Sequence, residues 1–279
     1  MAAMKFGVTM GYLDARTMVD LACEAEEAGW DGFFLGEAIW CTDAWVTLGA
    51  AAVRTGRIRL GTLVTPMPLT TPWKLAGESS TLDHLSGGRA ILALGMGAVW
   101  MGWQGWPDQV TDTKARAEML DEGIDILTLL YRGKQFDYAG KHYRLRLTAV
   151  DEVHYPPPPV QQPRLPIWVV GVWPRKASMR RVLKCDGLIP HVMGADGTFA
   201  EVRPEDLRAM RAYVEANRTL TTPFDFVVEG RTIGLDAAAV RAKLVPWAEA
   251  GATWWIETLS EATHEQMLER IRQGPPAIE

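Results

Sequence analysis

The chain has 279 residues, 48% of them hydrophobic and 23% charged, so it can bury a large core and is not expected to be disordered. Its net charge of −5 argues against a nucleic-acid-binding protein, and no apolar run reaches the roughly 20 residues that cross a bilayer. The three cysteines form no CxxC motif, and the N-terminus does not resemble a signal peptide, so we expect a cytoplasmic protein with a small-molecule substrate.

Predicted strands and helices alternate along the chain. The predicted strands cover residues 5–10, 31–37, 58–65, 90–95, 167–172, 187–192, 224–229 and 253–259. The helices that follow them cover residues 14–29, 43–55, 71–85, 113–131, 175–185, 205–217, 237–250 and 264–273, with N-caps predicted at Asp14, Asp43 and Thr71. Eight strands with nearly continuous apolar runs, each followed by a helix, predict a (β/α)8 TIM barrel.

The alternation pauses between the fourth and fifth strand–helix units. Residues 136–147 predict a small hairpin, and residues 155–166 contain too many prolines for regular structure. We therefore interpret residues 133–166 as an insertion within a single domain that covers residues 1–279. The alternative fold is a doubly wound open sheet, which usually needs a glycine-rich first turn that MGYLDAR does not provide.

In a TIM barrel the functional residues lie at the carboxyl ends of the strands. Two titratable side chains at such ends, Glu37 and His191, are predicted to be catalytic acids or bases. Each has a structural alternative: Glu37 could cap backbone amides or pair with an arginine, and His191 could be a hydrogen-bonded structural histidine.

Other strand ends and a tryptophan-rich loop, WMGWQGW, predict a substrate pocket for an apolar or aromatic molecule. The predicted substrate contacts are Met10, Trp40, Trp100, Trp103, Glu229 and Glu257. Because side chains alternate along a strand, one of Trp254 and Trp255 is expected to fill the barrel and the other to pack under the helices.

The segment VGVWPRKASMRR predicts an anion site. A strand end opens there into a helix whose first turn carries Arg175 and Lys176, and helix N-termini attract anions. The alternative is an ordinary basic helix start on the surface. No HxH, HExxH or clustered carboxylate pattern occurs, so no metal site is predicted.

Five stretches carry a family resemblance, in the order in which the family has them. They are EEAGWDGFFLGE, RTGRIRLGTLVTP, LAGESSTLDHLSGGRAILALGMG, RAEMLDEGIDIL and PPPPVQQPRLPIWVVG. The chain resembles the bacterial luciferase-like flavin-dependent oxidoreductases over most of its length. The most specific features are TLDHLSGGR before a GxG strand end and the P-x-Q-x-P motif before a later strand.

The resemblance implies an enzyme with a flavin-type cofactor in the barrel mouth, either FMN or the deazaflavin coenzyme F420. Reduced FMN would activate O2 for monooxygenation, whereas a deazaflavin would exchange hydride with an organic substrate. The third strand end would pack behind the ring, often with a non-proline cis peptide, and the phosphate would lie near Gly171. The predicted cofactor contacts are Leu63, Val64, Thr65, Gly95, Met96, Gly97, Gly171, Trp173, Arg175 and Lys176.

The chain departs from the family pattern after the second strand. Many relatives have Asp-His there, whereas this chain has Glu37-Ala38, so the proton role would fall to Glu37 and His191. Two alternatives therefore stay open: a non-redox acid–base enzyme that has lost the cofactor, and a non-catalytic protein that binds a flavin or an aromatic ligand. Relatives commonly dimerise, so a homodimer is a further expectation.

Overall fold

The computed structural model describes residues 4–100, 102, 109–150 and 157–277. Its strands are β1 (Lys5–Met10), β2 (Gly32–Leu35), β3 (Arg59–Pro66), β4 (Ala90–Gly95), β5 (Asp137–Ala139), β6 (Arg144–Arg146), β7 (Ile167–Trp173), β8 (Gly187–Met193), β9 (Phe199–Ala200), β10 (Asp225–Gly230) and β11 (Trp254–Leu259). Its helices are α1 (Ala15–Glu27), α2 (Ala44–Arg54), α3 (Pro72–Ser86), α4 (Thr113–Leu130), α5 (Lys176–Val182), α6 (Pro204–Asn217), α7 (Ala237–Ala250) and α8 (His264–Arg272).

Eight parallel strands close into a barrel. They are hydrogen-bonded in the order β1, β2, β3, β4, β7, β8, β10 and β11, and β11 pairs again with β1. A helix follows each of the eight strands along the chain. The predicted TIM barrel is therefore confirmed, and the short strand β9 adds an antiparallel edge to β8.

The helix starts show which predicted caps form. The carboxylates of Asp14 and Asp43 accept hydrogen bonds from the amides of Thr17 and Val46, as predicted. Thr71 occupies the N-cap position of α3 and Pro72 its first position, as predicted, although the Thr71 side chain makes no capping hydrogen bond. No helix in the described part of the chain is long and apolar enough to cross a membrane.

Two other predicted boundaries are wrong. β2 ends at Leu35, so Glu37 lies in the loop after the strand rather than at its last position. α5 ends at Val182, three residues before the predicted end, and Cys185 beyond it is already buried in the turn that leads to β8.

The sheet separates two hydrophobic clusters. The larger lies between the strands and the helices and includes Trp255. The smaller fills the barrel and consists of Phe34, Ile91, Ala93, Trp168, Ile189, Val227, Trp254 and Ile256. We call these the outer and inner clusters. Trp254 and Trp255 lie on opposite faces of β11, as the alternation of strand side chains predicts.

The insertion between β4 and β7 lies outside the barrel sheet. Its hairpin, β5–β6, is antiparallel and covers the middle of the predicted hairpin. The backbone after the proline-rich stretch is anchored through Gln161, whose amide and side chain donate to the buried carboxylate of Asp83 on α3. Residues 151–156 lie outside the described part of the chain, and the single-domain organisation stays a prediction.

Candidate active site

The carboxyl ends of the eight barrel strands open into one mouth, and strand alternation decides which side chains face it. Side chains that lie two positions beyond a residue packed inside the barrel point into the mouth. By this criterion the inward-facing residues are Thr9, Gly36, Gly95, Val172, His191, Glu229 and Thr258.

The third strand departs from this alternation. Leu63 and Val64 both pack against the inner cluster, and the peptide bond between them is cis. The pairing of β3 with β4 shifts register between Thr62 and Thr65 at the same place. The cis peptide that the family resemblance implies is confirmed, and the two consecutive apolar side chains form one wall of the mouth.

Glu37 lies on the helix side of this wall. Its Oε2 accepts hydrogen bonds from the Thr65 hydroxyl at 2.6 Å and from the Trp45 indole at 3.2 Å, and Trp45 belongs to the outer cluster. Burial raises the pKa of Glu37, and these two hydrogen bonds act in the opposite direction. Among the described residues, Glu37 forms neither the amide cap nor the arginine pair considered from sequence. Its carboxylate holds the end of β3.

Thr65, predicted to contact the cofactor, is fully buried. Its hydroxyl donates to Glu37 and lies 2.9 Å from the hydroxyl of Thr62. The Thr65 side chain therefore supports the wall from behind, while Leu63 and Val64 face the mouth.

His191 is half-buried at the inward face of β8. Its ring packs edge-on against Phe199 with 5.6 Å between ring centroids, and its buried Nδ1 has no hydrogen-bond partner among the described residues. Burial lowers the pKa of His191, because an apolar surrounding disfavours the imidazolium ion.

Glu229 occupies the inward face of β10. It is surrounded closely enough that burial raises the pKa of its carboxyl group, yet its side chain is exposed. No hydrogen-bond or ion-pair partner of Glu229 occurs in the described part of the chain, which is unusual for a carboxylate in such surroundings.

The substrate contacts predicted at Met10 and Glu257 are wrong. Met10 is buried in the outer cluster, and its neighbour Thr9 is the residue that faces inward. Glu257 is fully buried, and its carboxylate accepts hydrogen bonds from the amide and hydroxyl of Thr232 and from the Trp255 indole. Both side chains lie on the helix side of their strands.

Three predicted cofactor contacts also face the helices. Met96 and Trp173 pack against the outer cluster, and the Trp173 ring contacts that of Tyr213 on α6. A Cβ at Gly171 would lie 2.3 Å from Leu188 Cδ1, so this glycine allows α5 to pack on the sheet. Met96 and Trp173 are half-buried, and their contact with the cofactor stays a prediction.

Glycines lie beside the Leu63–Val64 wall, in close contact with it at Gly95 and next to open space at Gly36. A Cβ at Gly95 would lie 3.0 Å from Val64 Cγ2, and Gly97 has a φ of +74°, a backbone conformation that favours glycine. A Cβ at Gly36 would meet nothing closer than 3.8 Å, where the nearest atoms are the Leu63 carbonyl oxygen and the Tyr12 hydroxyl. The sequence analysis missed Gly36, although it stands directly before Glu37 at the end of β2.

Two cations lie at the rim of the mouth. Arg175 occupies the N-cap position of α5, which follows β7, and Lys176 is the first residue of that helix. Both side chains are exposed. Neither side chain has a hydrogen-bond or ion-pair partner among the described residues, whereas Arg181 on the same helix pairs with Asp121. Arg175 and Lys176 are therefore free to bind an anion.

The predicted tryptophan wall is only partly described. The Trp40 indole donates to the carbonyl of Gly102 at 3.4 Å, which brings the loop after β2 against the loop after β4. Trp40 is 69% exposed and Trp100 is 81% exposed, while Trp103 lies outside the described residues. Their contact with substrate stays a prediction. In the described part of the chain, no cluster of three or more His, Cys, Asp or Glu residues could hold a metal ion.

A family model described as luciferase-like monooxygenase matches residues 3–276. The chain belongs to this family. Its relatives include a Mycobacterium tuberculosis protein with the provisional name coenzyme F420-dependent oxidoreductase, which is 35% identical over 206 residues, or 68% of this chain and 56% of that protein. The F420-dependent glucose-6-phosphate dehydrogenase of Nakamurella multipartita is 33% identical over 142 residues, or 46% of this chain and 40% of that protein.

The same fold occurs at full length in a solved structure. The solved structure of an F420-dependent secondary alcohol dehydrogenase, in complex with an F420–acetone adduct, superposes with a TM-score of 0.79 over 99% of each chain at 14% identity. This likeness supports the fold alone. The aligned region spans about half the length of the curated relatives, from 40% to 56% of the two described above.

Proposed function

We propose that the chain is an oxidoreductase that binds a flavin-type coenzyme in the barrel mouth, specifically the deazaflavin coenzyme F420, and exchanges hydride with a small organic molecule. The observation that carries the proposal is the wall formed by Leu63 and Val64, with open space beside it at Gly36 and a close backbone approach at Gly95. When bound, the coenzyme supplies the hydride chemistry, and the protein supplies orientation and a dry site.

The residues present fit a flavin-type group. A flat aromatic ring needs an apolar surface and close approach to the backbone, which Leu63, Val64 and the glycines provide. Its phosphate is an anion, and Arg175 and Lys176 are cations without another partner in the described part of the chain. These features fit FMN and F420 equally.

The choice of F420 rests on the relatives. Two proteins more than 30% identical to this chain over their aligned regions carry F420 in their names. FMN with O2 is the second candidate, because the family is described as one of monooxygenases. The wall of Leu63 and Val64 argues against the acid–base enzyme without a cofactor, since such a barrel has no need for this wall. A protein that binds a flavin without turnover would need the same wall.

The supporting residues have distinct roles in this proposal. Glu37 acts through Thr65 and holds the end of β3, so that Leu63 and Val64 keep their orientation toward the ring. Trp40, Trp100 and Trp103 are the proposed contacts of an apolar or aromatic substrate. Thr9, which faces the mouth from β1, is a small polar neighbour that the sequence analysis did not select for the site.

The test is a binding titration of the purified protein with F420 and, separately, with FMN, followed by absorbance and fluorescence. We expect F420 to be retained at micromolar concentration. The double variant Arg175→Ala/Lys176→Ala should bind about tenfold more weakly, which corresponds to about 1.4 kcal/mol. Arg180→Ala, which removes an exposed arginine from the same helix, should bind as the wild type does.

Each other outcome has a clear meaning. Retention of FMN alone would replace hydride exchange by oxygen chemistry. Failure to retain either coenzyme would overturn the proposal and leave acid–base chemistry without a redox cofactor as the best alternative.

A further inference from the structure

His191 and Glu229 occupy neighbouring positions on adjacent strands. β8 and β10 pair in parallel, with Asp225 opposite Gly187, and Glu229 and His191 lie four residues beyond these two. Four residues along a strand return to the same face, so both side chains point into the mouth at the same level.

Among the described residues, these two side chains are the ionisable groups that face inward on β8 and β10, while Arg175 and Lys176 lie at the rim after β7. Glu229 has no hydrogen-bond or ion-pair partner among the described residues. The buried Nδ1 of His191 also has none, although backbone groups of Ile189 and Pro190 lie close enough to the ring to act on its pKa. The groups that flank them on β7, β9 and β11 do not ionise; they are Val172, Phe199, Ile256 and Thr258.

The pair lies across the barrel from the Leu63–Val64 wall. In the closed order of eight strands, β10 is four strands from β3 in either direction, so Glu229 faces the wall from the opposite side. A flat ring against Leu63 and Val64 would leave space for a substrate between its exposed face and Glu229. Glu37 does not share this position, because it lies on the helix side of β3.

We propose that Glu229 and His191 form one proton-handling pair that binds a hydroxyl or carbonyl oxygen of the substrate. This inference rests on the proposed function for its hydride step. In oxidation of a hydroxyl group, the C–H and O–H bonds break and a C=O bond forms; the hydride goes to the oxidised deazaflavin and the proton goes to the pair. In the reverse direction the pair returns the proton to the oxygen.

The burial of the two groups supports this role. It raises the pKa of Glu229 and lowers the pKa of His191, so it favours a protonated carboxyl group beside a neutral imidazole. Such a pair holds one mobile proton without a net charge, and either member can exchange it with a substrate oxygen.

The first test is an NMR titration of histidine side chains in the protein without coenzyme. The His191 signal is identified by its loss in His191→Gln. In the wild type we expect it to titrate in two steps, because the proposed pair brings the two ionisable groups close enough to share their macroscopic transitions. In Glu229→Gln we expect a single step at lower pH, since the carboxylate that favours the imidazolium ion is gone.

Two variants serve as controls. Glu229→Asp keeps an ionisable group, so it should retain the two steps. Glu261→Gln removes an exposed carboxylate that pairs with Arg231, and it should leave the His191 curve unchanged. A His191 curve that is identical in wild type and Glu229→Gln would overturn the pair.

The coenzyme titration separates this inference from the proposed function. Glu229→Gln should bind F420 within about twofold of the wild type, because Glu229 lies on the substrate side of the mouth. Coupled titration without F420 binding would support the proton pair and overturn its hydride step. F420 binding without coupled titration would support the coenzyme site and overturn the pair.

Discussion

At the scale of single residues, the two acids at the ends of β10 and β11 show that strand-end position does not define a role. Glu229 and Glu257 occupy the mouth end of adjacent strands. Glu229 is free and faces the mouth, whereas Glu257 is fully buried on the helix side and holds Thr232 and Trp255. A shift of one residue along a strand therefore moves a side chain from the mouth to the helix side of the sheet.

This contrast gives a stability prediction. Glu257→Ala should lower the free energy of unfolding by about 3–5 kcal/mol, because it leaves Arg270 and the donors of Thr232 without their buried acceptor. Glu229→Ala should change it by less than about 1 kcal/mol, since no partner in the described part of the chain is lost. Urea unfolding of both variants measures the difference, and equal effects would contradict this assignment of faces.

At the scale of elements, a carboxylate on α1 organises the turn between α2 and β3. Glu26 accepts hydrogen bonds from three successive amides, those of Gly56 at 2.9 Å, Arg57 at 2.6 Å and Ile58 at 2.7 Å. Burial by itself would raise the pKa of Glu26, but these amides, with Ile58 first, lower it below its ordinary value of 4.5. The turn thereby sets the start of β3, the strand that carries the wall of the mouth.

Glu26→Gln should lower the free energy of unfolding by about 1–2 kcal/mol at pH 7, because amide hydrogen bonds to a charged acceptor become bonds to a neutral one. The folded pKa is lowered, so the stabilisation is complete above 4.5 and is lost as the pH falls through the folded value. The difference between wild type and variant in urea unfolding should therefore shrink toward pH 3.

Glu27→Gln is the matched control, since Glu27 is the exposed neighbour on the same helix. It should leave stability unchanged within about 0.5 kcal/mol. A Glu26→Gln effect that is the same at pH 7 and pH 3 would show that the charge of this carboxylate does not stabilise the turn.

The elements also show what could be predicted from the sequence. The barrel was predictable because each buried strand is a separate apolar run followed by a helix with a turn signal, as Asp14 and Asp43 illustrate. The sequence did not show in the same way which side chains of each strand point into the barrel and which point toward the helices. Strands buried on both faces carry apolar residues at successive positions, so periodicity alone does not tell whether Thr9 or Met10 faces the mouth.

The candidate site was predicted only in part, because the sequence does not show which strand side chains face the mouth. Leu63, Val64 and Gly95 were placed by the family resemblance, and the structure brings them together at the mouth. Met96 and Trp173 were selected because they end strands, and both face the helices. A signal for Gly36 was present in its place after the buried run GFFL, where a missing side chain opens the mouth.

At the scale of the whole molecule, two neighbouring helices present large exposed apolar side chains. Val46 and Val53 on α2 are 72% and 66% exposed, and Trp73 and Leu85 on α3 are 44% and 47% exposed. A Cβ at Gly49 would lie 3.7 Å from Leu85, so the two helices form one continuous surface, which we call the α2–α3 apolar face. The homodimer expected from sequence stays a prediction, and this face is where we expect a second copy to pack.

The double variant Val46→Asp/Val53→Asp should convert a dimer to a monomer, because two charges would be buried in the contact. Light scattering coupled to gel filtration measures the mass. Val160→Asp, at an exposed valine of the insertion, should leave the mass unchanged. Wild-type protein with the mass of a single chain at micromolar concentration would contradict the prediction.

The central claim is that a deazaflavin lies against Leu63 and Val64 in the barrel mouth, and substitution of Gly36 tests it most directly. The measurement is a fluorescence titration of wild type, Gly36→Ala and Gly36→Leu with F420. A Cβ at Gly36 fits without a close contact, so Gly36→Ala should bind within about threefold of the wild type, whereas the larger side chain of Gly36→Leu should occupy the space of the ring and weaken binding at least about 100-fold. Equal F420 affinity in folded Gly36→Leu and wild type would contradict the account, because it would place the coenzyme away from this wall.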